Sequence, residues 1–328
     1  MIVVTGGAGF IGSALVAELN RRGYHEILIV DELACSEKWK NLRALSFADY
    51  MEKESFLDLV MEDSMPDGVR AILHLGACSS TTERDVSFLI RNNFEYTKWL
   101  ALWANENDAR FIYASSAATY GDGARGFDDD EKQLHTLRPL NPYGYSKQLF
   151  DQWAQRQGLL RSIVGLKYFN VFGPNEYHKD DMRSYALKGF EQIQATGRIK
   201  LFKSGDPTYT DGEYLRDFIY VKDAVDMTLF FVDYPEVHGL FNIGTGQART
   251  WNDYVTAIFK AMDREPAIDY VDMPDSIRSQ YQYYTQANMA KLRKAGYDKP
   301  CTPLEDAIQD YVKNYLVENE YLSGKELE

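Results

Sequence analysis

The stretch IVVTGGAGFIG, residues 2–12, decides how this chain folds. The run IVVT leads into a turn with glycines at 6, 9 and 12, and residues 11–22 then carry apolar side chains at helical spacing. Gly6, Gly9 and Gly12 have no side chains, so the backbone can approach a pyrophosphate, whose charge faces the helix N-terminus. The next strand-like run, EILIVD, ends in an acid, Asp31, at about the spacing a dinucleotide fingerprint requires. The stretch predicts dinucleotide binding, and a plain glycine turn is the alternative.

The rest of the chain alternates strand-like and helical patterns. Further strands are predicted at AILHLGA (71–77), RFIYASS (110–116), SIVGLKYFNVF (162–172) and LFNIG (240–244), with helix around 86–105 and strand, turn and helix over 217–232. Apolar runs without alternation are typical of strands covered on both faces. We therefore predict an α/β fold with a Rossmann-type, doubly wound parallel sheet and a smaller mixed α/β C-terminal lobe.

The composition of the chain changes near residue 173, where polar loops begin to separate shorter elements. The sequence predicts a dinucleotide-binding domain over 1–172 and a mainly substrate-binding lobe over 173–328. Segments near 217–245 are expected to return to the large domain.

Composition narrows the class of protein. The 328 residues are 45% hydrophobic and carry a net charge of −13, whereas nucleic-acid binders are more often basic. Cys35, Cys78 and Cys301 lack CxxC spacing, which argues against a zinc site or a disulfide framework and fits a reducing compartment. No signal peptide or membrane-spanning run is recognised, so we expect a cytoplasmic protein without nucleic-acid or membrane partners.

A catalytic pattern follows the predicted strand RFIYASS (110–116). Tyr143 and Lys147 form Y-x-x-x-K, which places both side chains on one helix face. A nearby ammonium favours the tyrosinate, lowering a phenol pKa that starts near ~10, so Tyr143 can exchange a proton with a hydroxyl. Ser116 ends the strand and can hold the reacting oxygen, whereas Ser115 is expected to point the other way and Tyr145 lies on another helix face. The alternative is a chance tyrosine–lysine pair on the surface.

Several stretches together resemble a known family. GACSSTTE (76–83), YASSAATYG, PLNPYGYSK, RDFIYVKD, and FNVFGP followed by the pair His178–Lys179 are similar to extended short-chain dehydrogenase/reductases of the NAD-dependent epimerase/dehydratase family. Among these, the chain most resembles the ADP-L-glycero-D-manno-heptose 6-epimerases of lipopolysaccharide core synthesis. The resemblance implies an isomerase that recycles a tightly held NADP, with NAD possible, acts on a nucleotide sugar and forms homo-oligomers, often pentamers.

The resemblance also implies site residues. Catalysis would rest on Tyr143, Lys147 and Ser116, with Lys179 as a second acid/base. The expected cofactor contacts include the glycines of the turn, Tyr143, Lys147 and Lys179. The others are Phe10, Ile11, Asp31, Glu32, Lys38, Lys53, Leu75, Gly76, Ala77, Cys78, Ser79, Asn92 and Val171. Besides Ser116, the expected substrate contacts are Asn170, Asp181, Lys188, Phe202, Lys203, Ser204, Gly205, Arg216 and Tyr281.

The chain departs from the family pattern at a few positions. Glu32 stands where the family usually has asparagine, and a second acid there disfavours the 2′-phosphate of NADP. Asp181 and Lys188 stand where better-known members have serine and histidine, and 206–214 is longer than usual. These differences affect substrate contacts more than the chemistry.

Lys179 raises the question of why one reaction would need two acid/base groups. Inverting a carbon outside the sugar ring requires the arm to rotate, so the oxygen faces two walls of the pocket. We hypothesise that Tyr143 serves one epimer and Lys179 the other; the alternative for Lys179 is a phosphate-binding or surface cation. Arg216 is expected to clamp the diphosphate, with a salt bridge to Asp217 or Asp223 as its alternative. Competing functions are UDP-hexose 4-epimerase, sugar 4,6-dehydratase and a non-catalytic NAD(P)-sensing protein.

Overall fold

A computed structural model describes residues 1–274 and 282–325. The strands are β1 (Ile2–Thr5), β2 (Ile27–Asp31), β3 (Asp49–Glu52), β4 (Ala71–His74), β5 (Arg110–Ser116), β6 (Val164–Tyr168), β7 (Asn170–Phe172), β8 (Ile199–Phe202), β9 (Leu215–Tyr220), β10 (Gly239–Ile243), β11 (Ala248–Thr250) and β12 (Ile268–Val271). The helices are α1 (Phe10–Arg21), α2 (Lys53–Met61), α3 (Val86–Leu89), α4 (Tyr96–Glu106), α5 (Pro142–Arg156), α6 (Tyr185–Thr196), α7 (Val221–Asp233), α8 (Trp251–Ala261), α9 (Ala290–Lys294) and α10 (Leu304–Tyr311).

Seven parallel strands form the central sheet in the order β10-β6-β5-β4-β1-β2-β3. Every residue of β1, β2, β4, β6 and β10 is buried, as the unbroken apolar runs predicted. α1 packs against α7, while α2 packs against α4 and α3 against α5. The chain order reverses direction across the sheet between β1 and β4, which is where such folds bind ligands. The predicted Rossmann-type fold is confirmed.

Two small sheets lie beyond this core. β7, β9 and β11 form one sheet, and β8 pairs with β12 in the other. They supply the smaller mixed α/β part of the chain, while β10 sits at the edge of the central sheet. The division into domains at 172/173 stays a prediction.

The run SIVGLKYFNVF is not the single strand that its sequence predicted. It breaks at Phe169, whose N–H donates to the carbonyl of Ile243 at 2.9 Å. The residues before the break form β6 of the central sheet, and those after it form β7 of a small sheet. The break carries the chain from the core to the edge of the candidate site.

The predicted helix around 86–105 is interrupted. α3 and α4 are joined by a π-helical turn, Ile90–Glu95, which contains Asn92 and Asn93. Such π turns are frequent at functional sites. Over residues 1–274 and 282–325, no helix is both long and apolar enough to cross a bilayer.

Candidate active site

The glycine turn between β1 and α1 leaves no room for side chains. Gly6 has φ +68°, and a Cβ on it would lie 2.6 Å from the amide nitrogen of Gly76. A Cβ on Gly12 would collide with the carbonyl oxygen of Gly6. Gly9 caps α1 without a side-chain hydrogen bond, so the first N–H groups of the helix stay available to an anion. The turn therefore fits the pyrophosphate of a dinucleotide.

Two ion pairs lie at the end of β2. Asp31 is 7% exposed; its Oδ2 accepts from Ala8 N at 2.9 Å and its Oδ1 from Lys38 Nζ at 2.7 Å. Lys53 Nζ lies 2.5 Å from Glu32 Oε2, and this contact lowers the pKa of the Glu32 carboxyl. A cavity of about 150 Å³ lies beside them, and its walls include Gly76 and Asn92. Two acids and two lysines thus face the same small cavity.

A second cavity, of about 560 Å³, brings the predicted catalytic residues together. Ser116 from the end of β5, Tyr143 and Lys147 from α5, and Lys179 from the segment after β7 all line it. Its walls also include the predicted residues Gly6, Phe10, Ile11, Gly12, Lys38, Leu75, Ala77, Cys78, Ser79, Asn170 and Val171. Apart from Gly9, every predicted cofactor residue lines one of these two cavities.

The Tyr143 phenol is poised by burial and by Ser116. The sequence predicted that Lys147 lowers the pKa of this phenol, but burial raises the pKa, and a hydrogen bond with Ser116 opposes that rise. Lys147 Nζ donates to the carbonyl of Ala114 at 2.7 Å, and burial lowers the pKa of this ammonium to about 8. The Ser115 hydroxyl donates to Asp151 instead of joining Tyr143, as the alternation along β5 predicts, and Tyr145 is 48% exposed.

A buried ion pair ties α5 to the sheet beneath this group. Asp151 Oδ2 lies 2.7 Å from Lys167 Nζ on β6 and accepts from Ser115 Oγ at 2.7 Å. Asp151 Oδ1 accepts from Tyr113 OH at 2.8 Å. Asp151 lies one helical turn beyond Lys147, so these bonds hold α5 and the Ser116 strand in one arrangement.

A polar chain that our sequence reasoning missed connects β1, β4 and the π turn. His74 contacts Thr5 Oγ1 at 2.6 Å and Thr97 Oγ1 at 2.9 Å, and Thr97 donates to the carbonyl of Asn93 at 2.7 Å. Burial lowers the pKa of His74 to about 3, so the ring is neutral. Asn93 Nδ2 reaches Cys78 O at 3.0 Å and Ser146 Oγ at 3.1 Å. Both contacts are far away in sequence, so no local signal marks Asn93.

Lys179 follows β7 in a turn that bends over the glycine loop. Its Nζ lies 5.2 Å from the ring centre of Phe10, which is a cation–π contact. Burial lowers the pKa of this ammonium and Lys188 adds to the effect, while the charge of Glu176 opposes it. Among the described residues, no acceptor forms a hydrogen bond with Lys179 Nζ. Lys179 is therefore a partly buried cation whose amine lies at the cavity.

The predicted substrate residues are more scattered. Asn170 lines the catalytic cavity and donates to Asp217 O at 3.1 Å. Arg216 is buried and donates to the carbonyls of Leu215 and Gln282, whereas Asp217 and Asp223 accept from other groups. Lys188 donates to the carbonyl of Asp181, and Lys203 forms an ion pair with Asp272. The N–H of Ser204, which precedes Gly205, donates to Asp211. Tyr281 lies outside the described residues.

An aromatic pocket of about 610 Å³ adjoins this region. Phe202, Tyr185, Tyr214 and Trp251 contribute its rings. β7 pairs with β9, so Asn170 stands opposite Phe218, whose ring lies 5.2 Å from that of Trp251. The paired strands β7 and β9 thus link Asn170 in the wall of the catalytic cavity to Trp251 in the wall of the aromatic pocket.

Comparison with known proteins gives one consistent result. Residues 2–244 match the NAD dependent epimerase/dehydratase family. An ADP-L-glycero-D-manno-heptose-6-epimerase of Nitratidesulfovibrio vulgaris (strain Hildenborough) is 55% identical over 96% of this chain and 98% of the relative. One of Fusobacterium nucleatum is 45% identical over 98% and 100%. The crystal structure of the enzyme so named from Helicobacter pylori superimposes with a TM-score of 0.79 at 27% identity, covering 95% of both chains.

Proposed function

Since the chain belongs to the NAD dependent epimerase/dehydratase family, we propose that it inverts C6 of the heptose in ADP-D-glycero-D-manno-heptose. The product would be ADP-L-glycero-D-manno-heptose, for lipopolysaccharide core biosynthesis. The observation that supports the proposal is that Tyr143 and Lys179, whose phenol and amine can each exchange a proton, come from different elements and line one cavity beside the glycine turn.

The cofactor would lie across the two cavities. The glycine turn and the start of α1 would hold the pyrophosphate, and Asp31 the ribose hydroxyls. We propose NADP, as the resemblance implies, with Lys38 and Lys53 as the cations for its 2′-phosphate; NAD is the alternative. Each lysine is already paired with an acid, Asp31 or Glu32, and these pairs weaken the preference for NADP.

The nicotinamide, when bound, supplies the chemistry of taking a hydride from C6 and returning it to the same carbon. Tyr143 would accept the hydroxyl proton of one epimer, with Ser116 holding the oxygen. Once the arm of the 6-keto sugar has turned, Lys179 would donate a proton to the oxygen in its new position. The reverse reaction uses the same two groups in the opposite order.

The nucleotide end of the substrate would extend toward the small sheets. Arg216 would bind the diphosphate, because a guanidinium offers forked donors to phosphate oxygens. The aromatic pocket at Phe202 and Trp251 would receive the adenine ring. Such an arrangement concentrates binding groups for an anionic ligand in a protein whose net charge is −13.

The test supplies each ADP-heptose epimer to the purified protein without added cofactor and follows the other epimer by chromatography. We expect both to interconvert. Lys179→Met and Tyr143→Phe should each slow interconversion by at least about 100-fold, because general acid–base groups contribute factors of that size. Lys313→Met, at an exposed lysine outside the predicted site residues, is the control. Turnover of UDP-hexoses alone would refute the substrate, and wild-type rates in Lys179→Met would refute the two-base scheme.

We further propose a homo-oligomer, with a pentamer implied by the resemblance. The mass of the purified protein in solution, measured by light scattering, tests this assembly.

A further inference from the structure

Glu176 is a buried acid for which the reaction scheme has no role. It is 0% exposed, and it forms no ion pair within residues 1–274 and 282–325. Its Oε1 accepts from Ser184 Oγ at 2.6 Å, from Tyr311 OH at 3.1 Å and from Gly173 N at 3.4 Å, and its Oε2 accepts from Ser184 N. Two of these donors are backbone N–H groups, which can only donate. The partners therefore suit an ionised carboxylate.

These bonds close a loop. Glu176 and Ser184 are the two ends of residues 176–184, and the segment between them carries Lys179. The N–H of Lys179 donates to the carbonyl of Glu176 at 3.1 Å, so the clamp and the lysine share a backbone turn. The next residue, Asp180, has φ +45° and ψ −122°, a conformation that costs energy outside glycine. Such a strained turn needs the surrounding contacts to hold it.

The loop is also fixed from the cofactor side. Asn41 is buried, and its Nδ2 lies 2.9 Å from Ala8 O in the glycine turn, 3.1 Å from Asn175 O and 3.3 Å from His178 Nδ1. The side-chain amide of Asn41 thus bonds both to the glycine turn and to residues 175–178, at the start of the loop that carries Lys179. Glu176 joins this start of the loop to its end at Ser184.

A buried anion without a paired cation is costly, so its retention calls for an explanation. Burial raises the pKa of the Glu176 carboxyl, while the hydrogen bond from Ser184 and the charge of Lys179 favour its ionised form. Lys179 is the nearby positive charge that an ionised Glu176 stabilises. Burial and Lys188 both favour loss of the proton from Lys179, and Glu176 acts against them.

We propose that Glu176 is a positioning residue for Lys179, closing its loop and supplying the buried negative charge that keeps its ammonium form available. This inference rests on the proposed function for its consequence: Lys179 must be able both to release and to take up a proton. Glu176 is fully buried and is not among the residues that line the catalytic cavity, so it would act through the lysine.

Glu176→Gln tests the charge. The amide oxygen can still accept from Ser184 N and the amide nitrogen can donate to a hydroxyl, so the loop can stay closed while the negative charge is lost. The charge state of Lys179 is read without turnover, from the pH dependence of its acetylation, followed by peptide mass spectrometry. We expect the midpoint to fall by about one pH unit, since removing an anion favours the neutral amine. Glu106→Gln, at an exposed acid that ends α4, should leave the midpoint unchanged.

The kinetic arm uses both epimers. In Glu176→Gln we expect kcat to fall about tenfold with KM within about twofold, and the limb of the pH profile that reports Lys179 to move to lower pH. An unchanged acetylation midpoint would overturn the proposal, whatever the activity. If wild-type protein turned over neither epimer, the proposed function would fail, and the acetylation result would still judge Glu176.

Ser184→Ala separates closure from charge. It removes one hydrogen bond of the clamp and leaves the carboxylate in place, so we expect kcat to fall while the acetylation midpoint stays within about 0.3 units of wild type. The same variant decides the question of closure if Glu176→Gln does not fold. A wild-type kcat in Ser184→Ala would overturn the role of the clamp.

Discussion

At the residue scale, the charge on Glu32 bears directly on the choice between the two dinucleotides. Its carboxylate is half exposed and paired with Lys53, while Asp31 pairs with Lys38. The two acids cancel the two lysines, so a 2′-phosphate would meet no net positive charge. Removing one acid would release one lysine for that phosphate.

Glu32→Gln should therefore shift affinity toward NADP. We expect the ratio of the Kd for NADP to the Kd for NAD to fall about threefold to tenfold, a modest change because the pair is exposed and screened by salt. The cofactor released on denaturation and equilibrium binding of both dinucleotides measure it. Glu62→Gln, at an exposed acid that follows α2, is the control. An unchanged ratio would show that Glu32 does not discriminate.

Which side chains reach the candidate site could be predicted where the sequence pattern was local. The period of two along a strand separated Ser116 from Ser115, and helical spacing separated Tyr143 from Tyr145. Asn93 and Glu176 gave no such signal, because their partners Ser146 and Tyr311 are 53 and 135 residues away. Contacts of that separation are set by the packed fold and cannot be read from a sequence pattern.

At the scale of elements, the turn from β1 to α1 was the most predictable part, since its glycines, its strand and its helix all agree. The run at 162–172 was the least, because both β6 and β7 are apolar and the break at Phe169 lacks glycine or proline. The hydrogen bond to Ile243, more than seventy residues on, decides where the strand ends.

Gly12→Ala should abolish dinucleotide binding. The added Cβ would collide with the carbonyl of Gly6, and the turn must open to relieve the contact. We expect protein purified with less than about a tenth of the wild-type cofactor content, a loss of more than about 1.4 kcal/mol. Absorbance of the released nicotinamide measures it. Gly23→Ala, beyond the other end of α1, has open space and should cost only stability, about 1 kcal/mol for its φ of +82°. Normal cofactor content in Gly12→Ala would contradict the placement of the pyrophosphate.

At the scale of the whole molecule, the central sheet depends on polar groups that must stay neutral or paired. His74 joins β1 and β4 to α4 and is neutral when folded, since burial lowers its pKa to about 3. Unfolding exposes it and restores its ordinary pKa of about 6.5. Below that pH the unfolded chain binds a proton that the folded chain does not.

His74 should therefore make the protein less stable in acid. Its contribution is present above pH 6.5 and is lost as pH falls toward 3, by about 2 kcal/mol at pH 5. Urea unfolding at pH 7 and pH 5, compared between wild type and His74→Gln, isolates this group. Asp129, whose pKa burial raises to about 6, changes stability in the opposite direction and cancels in the comparison. Equal pH dependence in the two proteins would show that His74 is not the cause.

Residues 175–176, at the start of the loop that carries Lys179, are held by the C-terminal part of the chain, and this has a consequence during synthesis. Tyr311 OH reaches Glu176, and the N–H of Leu322 donates to Asn175 Oδ1 at 2.9 Å. A ribosome makes residues 311–322 long after the sheet, the glycine turn and Tyr143. The early half of the chain can then fold as it is synthesised, while Lys179, the proposed second proton-transfer group, still lacks these contacts. Folding of the early half and the onset of catalysis would thus be separate events in the life of each molecule.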